Sequence, residues 1–497
     1  MIAQAFHSRM QNSLLGSVVA LFGFGQLSRP RQGKLKCILL MLIAGGCLLP
    51  TDGYSADWYL AAQAAGANSG TSWTDAWSSV TNIKWDSIAS GDTLWVDGGD
   101  YGASLSVLNK SNVTVKIKSN AMQKAVFTWG QFYNCDGCVM DGLRNSTQYL
   151  VFRGTTPIFH GFLLRESENV TLRGIEIDRA SYYASDLQQN HGISVSGACD
   201  MVVIEYCHIH HTTGDGININ TTYPSIRSNA FDSFVLRHNL IKDVGDDGIQ
   251  AAGNYQVTIE YNYVDKNWFP TYFGGHPDGF QFNPDGHHVI VRNNTVKGFN
   301  QNIFIEWAKS EIYVYNNVLI GTQTSGTDRG MNLSARSAFS GNWVLANNTF
   351  YNFRTFYAIN GGVPSAEYVG NNVFVNCKAI ISSDSLSLID DTNFYWDEPG
   401  IQYFDTSGEA IGIPDSRYAG AAVYADPRLK DAANGDFGLL SGSAAIDRGK
   451  SLAGFFDDDR EGHRRGLAWD AGAYEYPSDR DGLLTSPQNL RFTGSSL

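Results

Sequence analysis

The chain has 497 residues and a formal net charge of -13, with 43% hydrophobic, 12% aromatic and only 17% charged residues, 52 Gly and 13 Pro. Globular chains average roughly 25% charged residues and about 7% Gly, so this one is weakly charged and glycine-rich, and its apolar content excludes a disordered chain. No stretch has the heptad-spaced Ala/Glu/Lys/Leu/Arg content of a coiled coil or long bundle, and an acidic chain without a basic stripe is not built to hold nucleic acid.

In chain order, the first predicted element is a leader over residues 1–56. Arg29, Arg31, Lys34 and Lys36 precede the apolar run from Cys37 to Leu49. That run is too short for a membrane span of about 20 residues but suits the apolar centre of a secretory signal. Cleavage is expected near Ala56; lipoprotein processing at Cys47, after Ala44-Gly45-Gly46, and a retained anchor are the alternatives. The mature chain is thus expected to be secreted, extracellular or periplasmic, with no stable membrane insertion. Residues 57–130 are expected to form an N-terminal cap and the first coils. Cys135-Asp136-Gly137-Cys138 allows a tight disulfide or half a metal site but lacks the second CxxC of a zinc site. Cys199, Cys207 and Cys377 read as buried small hydrophobes.

From residue 170 the chain repeats. The segments NVTLRGIEI, MVVIEYCHI, FVLRHNLI, QVTIEYNYV, HVIVRNNTV, EIYVYNNVL, WVLANNTF and EYVGNNVF alternate apolar and polar residues, the period of strands. Their anchors, Ile175, Cys207, Asn239, Asn262, Asn294, Asn317, Asn348 and Asn372, are spaced by 32, 32, 23, 32, 23, 31 and 24 residues. A unit of 23 residues with occasional insertions is too short for a propeller blade and lacks the helix of a leucine-rich repeat. It suits one coil of an all-β solenoid, a parallel β-helix whose equivalent positions stack about 4.8 Å apart. The recurring Asn is read as a turn residue that tolerates left-handed backbone and bonds from coil to coil.

A second strand in each coil aligns as His191-Gly192-Ile193, Asp215-Gly216-Ile217, Asp247-Gly248-Ile249, Asp278-Gly279-Phe280, Gln301-Asn302-Ile303 and Arg329-Gly330-Met331. The apolar residue points inward, the Gly is read as permitting a bend, and the first residue forms a rim of His, Asp, Asp, Asp, Gln and Arg. Outward positions add Gln250, Gln281, Asn283 and Glu306. Stacked carboxylates, with Asp246 beside Asp247, repel one another unless a cation such as Ca2+ relieves them. Two of them could instead divide into a protonated acid and an ionised base, Asp247 and Asp278, as in a glycoside hydrolase. Asp-Gly pairs that merely cap turns are the third reading.

The segment before Asp278 carries Lys266, Trp268 and His276. Aromatics such as Trp268 stack on sugar rings while amides and carboxylates bind hydroxyls, so Gln250, Gln281, Asn283, Trp268, Glu306 and Arg329 are the candidate substrate-binding residues. His276, two residues before Asp278, is the preferred proton-transferring group, with Lys266 the competing base and Asp278 the carboxylate beside it.

Residues from about 57 to 476 resemble the secreted bacterial right-handed parallel β-helix superfamily, which includes pectate lyases, alginate lyases and polygalacturonases. The likeness rests on the opening DWYLAAQAAGANSGTSWTDAWSSV, on GDTLWVDGGDYG, and on the closing ADPRLKDAANGDFGLLSGSAAIDRGK with WDAGAYEY. Gly245-Asp246-Asp247-Gly248 after Asp215-Gly216 resembles the acidic cluster of one pectate lyase family, which implies Asp215, Asp246 and Asp247 as calcium ligands. That family has a further acidic residue where this chain has Gln250, and its catalytic Lys has no clear counterpart. The chain is expected to be monomeric, with closing coils and a C-terminal cap over 386–476 and a polar, disordered tail over 477–497, and the resemblance implies a right-handed parallel β-helix over residues 57–476. It would act on an acidic polysaccharide, as a calcium-assisted lyase acting by β-elimination on a uronic-acid polymer. A hydrolase and a non-catalytic carbohydrate-binding or surface adhesion protein are the alternatives.

Overall fold

Period-two alternation does fold as strands, and each coil supplies one strand to each of three sheets. In one coil these are Asp232–Arg237, Leu240–Val244 and Ile249–Ala252. The computed structural model describes residues 55–477 apart from 155–159, 179–189, 222–231, 254, 267–276, 284–285, 307–310, 324–327, 336–341, 362–365, 382–389, 397–401, 405–409 and 412–422. The leader, the tail after residue 477, Trp268 and His276 lie outside the described residues. The chain divides into two units. The smaller is Met1–Tyr54 with Leu452–Asp457, whose described part is a turn in which Phe455 N donates to Leu452 O at 2.8 Å. The larger, Ser55–Ser451 with Asp458–Leu497, carries every described strand.

Among the described residues, each of the three sheets has thirteen strands. Their pairing is parallel throughout, except that Gln402–Phe404 meets Ala410–Ile411 antiparallel at the end of the third sheet. The first sheet begins with Asp57–Leu60, the second with Gly99–Asp100 and the third with Leu105–Leu108, and they run on past residues 130 and 385. After Tyr424 the pattern changes to the antiparallel pair Leu429–Asp431 and Asp436–Leu439. No helix among the described residues is long and apolar enough to cross a membrane.

The register is in phase from coil to coil, so identical positions form inward columns. Ile193 pairs with Ile217, and Ile249 with Phe280, then Ile303 and Met331, all 0% exposed. Each such side chain contributes about 1.5–3 kcal/mol on burial, so a one-residue slip would turn a whole column to solvent.

The anchor asparagines form a buried ladder at the turn from the first sheet to the second. Asn239 N donates to Asn262 Oδ1 and Asn262 N to Asn294 Oδ1 at 2.9 Å, and the series continues through Asn317, Asn348, Asn372 and Asn393. The left-handed residue is not the anchor, as expected, but the one before it: Asn293, Asn316, Asn347 and Asn371 have φ of 58°, 55°, 53° and 56°. The anchor is held instead by its amide, which reaches backbone carbonyls; Asn294 Nδ2 donates to Ile259 O and Arg292 O. Asn294→Ala strands these buried partners, each costing about 1–3 kcal/mol. Urea unfolding is expected to show a loss of at least about 2 kcal/mol.

The glycines of the second aligned strand also act differently from the bend expected of them. No left-handed φ occurs at Gly216 or Gly248; a Cβ on Gly248 would lie 2.5 Å from Gly279 O, and one on Gly216 2.6 Å from Gly248 O. Close approach of successive coils, rather than turn conformation, demands Gly there. All five cysteines among the described residues are free and buried, Cys135 and Cys138 included.

Candidate functional site

The acidic column sits where the second sheet turns into the third. Strands His208–Thr212 and Leu240–Val244 end there, and Ile217–Thr221, Ile249–Ala252 and Asp278–Phe282 begin. Backbone bonds from Gly216 N to Asp247 O (2.9 Å) and Gly248 N to Asp278 O (2.8 Å) stack the coils at this point.

The carboxylates repeat the asparagine ladder. Asp215 Oδ1 accepts from Asp247 N (3.1 Å), Asp247 Oδ1 from Asp278 N (2.8 Å), and Asp278 Oδ1 from Gln301 Nε2 (2.9 Å). An amide oxygen would serve this turn equally well, as it does in the other ladder. The backbone of the turn therefore does not require the charge. Asp215 and Asp247 are 2% exposed and Asp278 0%. Burial, then the charges of Asp215, Asp278 and Asp246, hold the Asp247 carboxyl well above the usual carboxylate range. Half-buried Asp246 completes a triad in which one oxygen each of Asp215, Asp246 and Asp247 lies within 4.8 Å of the others. An all-oxygen, multiply anionic set fits a hard divalent cation such as Ca2+.

Lys266 closes one side of the cluster. It follows the strand Tyr263–Asp265, is 7% exposed, and its Nζ donates to Val244 O at 3.1 Å. Burial lowers its pKa to about 8, against the opposing pull of Asp246 and Asp247.

The amides expected to face a ligand bond largely to one another. Asn218 Nδ2 donates to Asp215 Oδ2 (2.7 Å) and Gln250 Oε1 (2.9 Å), and Gln250 Nε2 to Asp247 Oδ2 (3.1 Å) and Gln281 Oε1 (2.6 Å). Gln250 and Gln281 thus orient the carboxylates. Asn283 and Glu306 are half-buried beyond the strand ends, tied by backbone bonds to Ala251 O (2.8 Å) and Phe282 O (2.9 Å). Arg329 Nη1 donates to Gln301 Oε1 at 3.3 Å, while its buried Nε has no hydrogen-bond partner. Burial lowers its pKa and the charge of Asp278 opposes that.

Sequence reasoning missed the bridging role of Gln301 and Asn332, which bond to each other, and a histidine cluster at Asp178, His210 and His211. The HIHH string at residues 208–211 was the available signal, but strand alternation argues against adjacent residues sharing a face.

A sequence model of the family described as "Right handed beta helix region" matches residues 74–268 and 160–350. No curated protein matches the sequence. Among solved structures, pectate lyase Pel9A is similar at 16% identity, covering 86% of this chain and 98% of its own, with a TM-score of 0.45. XylC in complex with xylose is similar at 11% identity, covering 84% and 98%, with a TM-score of 0.47. The GH136 lacto-N-biosidase from Eubacterium ramulus is similar at 10% identity, covering 68% of each chain, with a TM-score of 0.43.

Proposed function

The chain belongs to the right-handed β-helix family, and from its carboxylate column we propose that it is a calcium-assisted polysaccharide lyase, exported by its leader, that breaks a uronic-acid-containing glycan by β-elimination. One observation carries this reading: the ladder uses aspartates where an amide oxygen would hold the turn, gathering Asp215, Asp246 and Asp247 within 4.8 Å.

Asp215, Asp246 and Asp247 would hold the calcium ion. When bound, it neutralises the substrate carboxylate and acidifies the proton at C5. Lys266 accepts that proton; its amine donates one hydrogen to Val244 O and, uncharged above about pH 8, has a lone pair to offer. The released electron pair forms the C4–C5 double bond, the C4–O bond breaks, and the departing oxygen takes a proton from water. Arg329 Nε, buried without a partner, offers a donor to a second carboxylate of an acidic polymer. Asn283 and Glu306 take sugar hydroxyls, Trp268 stacks on a ring, and His276 is the alternative base.

A second reading has one observation in its favour. Asp247, with its raised pKa, bonds to the next coil at Asp278 N and could serve as the acid of a hydrolase with Asp278 as base. Incubation with pectate and alginate separates the readings. Calcium-dependent appearance of ultraviolet-absorbing unsaturated ends is expected. Reducing ends without unsaturated ones would replace the lyase by the hydrolase, and binding without cleavage would leave a carbohydrate-binding or adhesion protein.

A further inference from the structure

A separate set of ligating side chains lies on the second sheet, one strand position and a turn away in sequence from the acidic column and sharing no residue with it. Asp178, ending Ile175–Asp178, pairs in register with His210 of His208–Thr212. Successive strand residues ordinarily face opposite sides. His211, however, has a φ of 55°, which breaks the alternation and brings both imidazoles to one carboxylate. His211 Nδ1 is 3.3 Å and His210 Nδ1 3.7 Å from Asp178 Oδ1, and the two Nδ1 atoms are 2.7 Å apart. On the next coil Asp243, also left-handed at 51°, places a carboxylate oxygen 4.0 Å from His211 Nε2.

Two consecutive coils adopt left-handed backbone here, at His211 and Asp243, which puts the Asp243 carboxylate beside the outer nitrogen of the His211 ring. The facing nitrogens are a poor arrangement for their own sake. Only one of the two Nδ1 atoms can donate to the other, and the remaining nitrogen of His210, Nε2, faces Glu176 Oε1 at 3.5 Å, which leaves the Nδ1 side of both rings turned toward Asp178. Asp178 Oδ2 is held by Arg153 Nε at 3.0 Å, leaving Oδ1 directed at the histidines. An outer partner that fixes a ligating carboxylate in this way is a usual companion of metal ligands.

We propose that Asp178, His210 and His211 bind a divalent transition ion, zinc by the chemistry of the donor set. Two imidazole nitrogens and a carboxylate oxygen suit zinc, and Asp243, which faces His211 Nε2 rather than Nδ1, stands as an outer partner of that ring. Calcium, which takes oxygen ligands, belongs to the other cluster. In a tetrahedral site with bonds of about 2.0–2.1 Å, ligand atoms stand roughly 3.3 Å apart. The two nitrogen–oxygen separations are close to that value, and the nitrogen–nitrogen separation reaches it by a small rotation of the rings. The ion would tie two successive coils together on the strand that leads into the acidic turn.

Equilibrium dialysis of the full chain against zinc chloride alone tests this. Wild type is expected to bind one zinc through this site, unaffected by excess calcium. His211→Asn, which retains the left-handed backbone, is expected to weaken binding more than the roughly tenfold that follows loss of an outer partner. Asp215→Asn combined with Asp247→Asn should leave it unchanged. Copper(II) in place of zinc should show hyperfine coupling to two nitrogens in wild type and to one in His211→Asn. Zinc binding that is absent in wild type, or equal in wild type and a His211→Asn protein with an unchanged circular dichroism spectrum, would overturn the proposal. If His211→Asn does not fold, Asp178→Asn takes its place, with the same loss of affinity expected and unchanged affinity as the contrary result.

Discussion

Asp247→Asn is expected to lower calcium-dependent cleavage about a thousandfold, matching the several kcal/mol a Lewis-acid cation contributes, while the protein still folds. The variant separates charge from structure because the backbone of the turn asks Asp247 for an oxygen that accepts Asp278 N, and the Asn gives up only the bond that Gln250 Nε2 donates to the second oxygen. An Asn supplies that oxygen, as six ladder asparagines do elsewhere in the same solenoid.

Stability should move the opposite way to activity. The folded pKa of Asp247 lies above its unfolded value of about 3.9, so the folded state holds this proton more tightly. The stability that follows is whole below about pH 4 and is lost as pH rises through the folded pKa. Wild type in EDTA should therefore melt at progressively lower temperature toward neutral pH, calcium should reverse the decline, and Asp247→Asn should show neither effect. Thermal melts across pH with and without calcium measure all three. Equal calcium stabilisation of wild type and variant would remove Asp247 from the site.

Lys266→Gln carries the second large effect, a fall in kcat of roughly a hundredfold to ten-thousandfold, the range for loss of a general base. The pH profile identifies the base. Lys266 must be uncharged to accept the C5 proton, so wild-type kcat should rise with pH with a midpoint near or below about 8. The direction below 8 follows from the same cluster: Asp246 and Asp247 pull the pKa of Lys266 upward, and a cation among them removes part of that pull. A midpoint near 6.5, the ordinary value for histidine, together with unchanged kcat in Lys266→Gln, would transfer the role to His276.

Much of this site was legible in the order of residues, because a solenoid turns sequence period into spatial column. Asp215, Asp247, Asp278, Gln301 and Arg329 could be aligned through the apolar residue two places on, and the structure stacks them in that order. The pairing of Gln250 with Gln281 was not legible. Both point outward, and only the closeness of the coils makes them bond at 2.6 Å instead of turning to a ligand. Nor was the choice of left-handed residue, since Asn293 and Asn294 are chemically identical and differ in which of them reaches the carbonyls of the preceding coil.

Composition and spacing alone therefore determined the class of the molecule: low charge with abundant Gly and Asn belongs to stacked turns, and repeats near 23 residues are coils of a β-helix. They also gathered part of the acidity into one column. The tertiary structure decided what that acidity means. Burial of Asp247 among three other carboxylates, the lowered pKa of Lys266 beside them, and the convergence of His210 and His211 on Asp178 depend on atoms brought together from different coils. Periodicity sets which residues stack, whereas desolvation and turn conformation are set by neighbours distant in the chain, and it is these that convert a column of residues into chemistry.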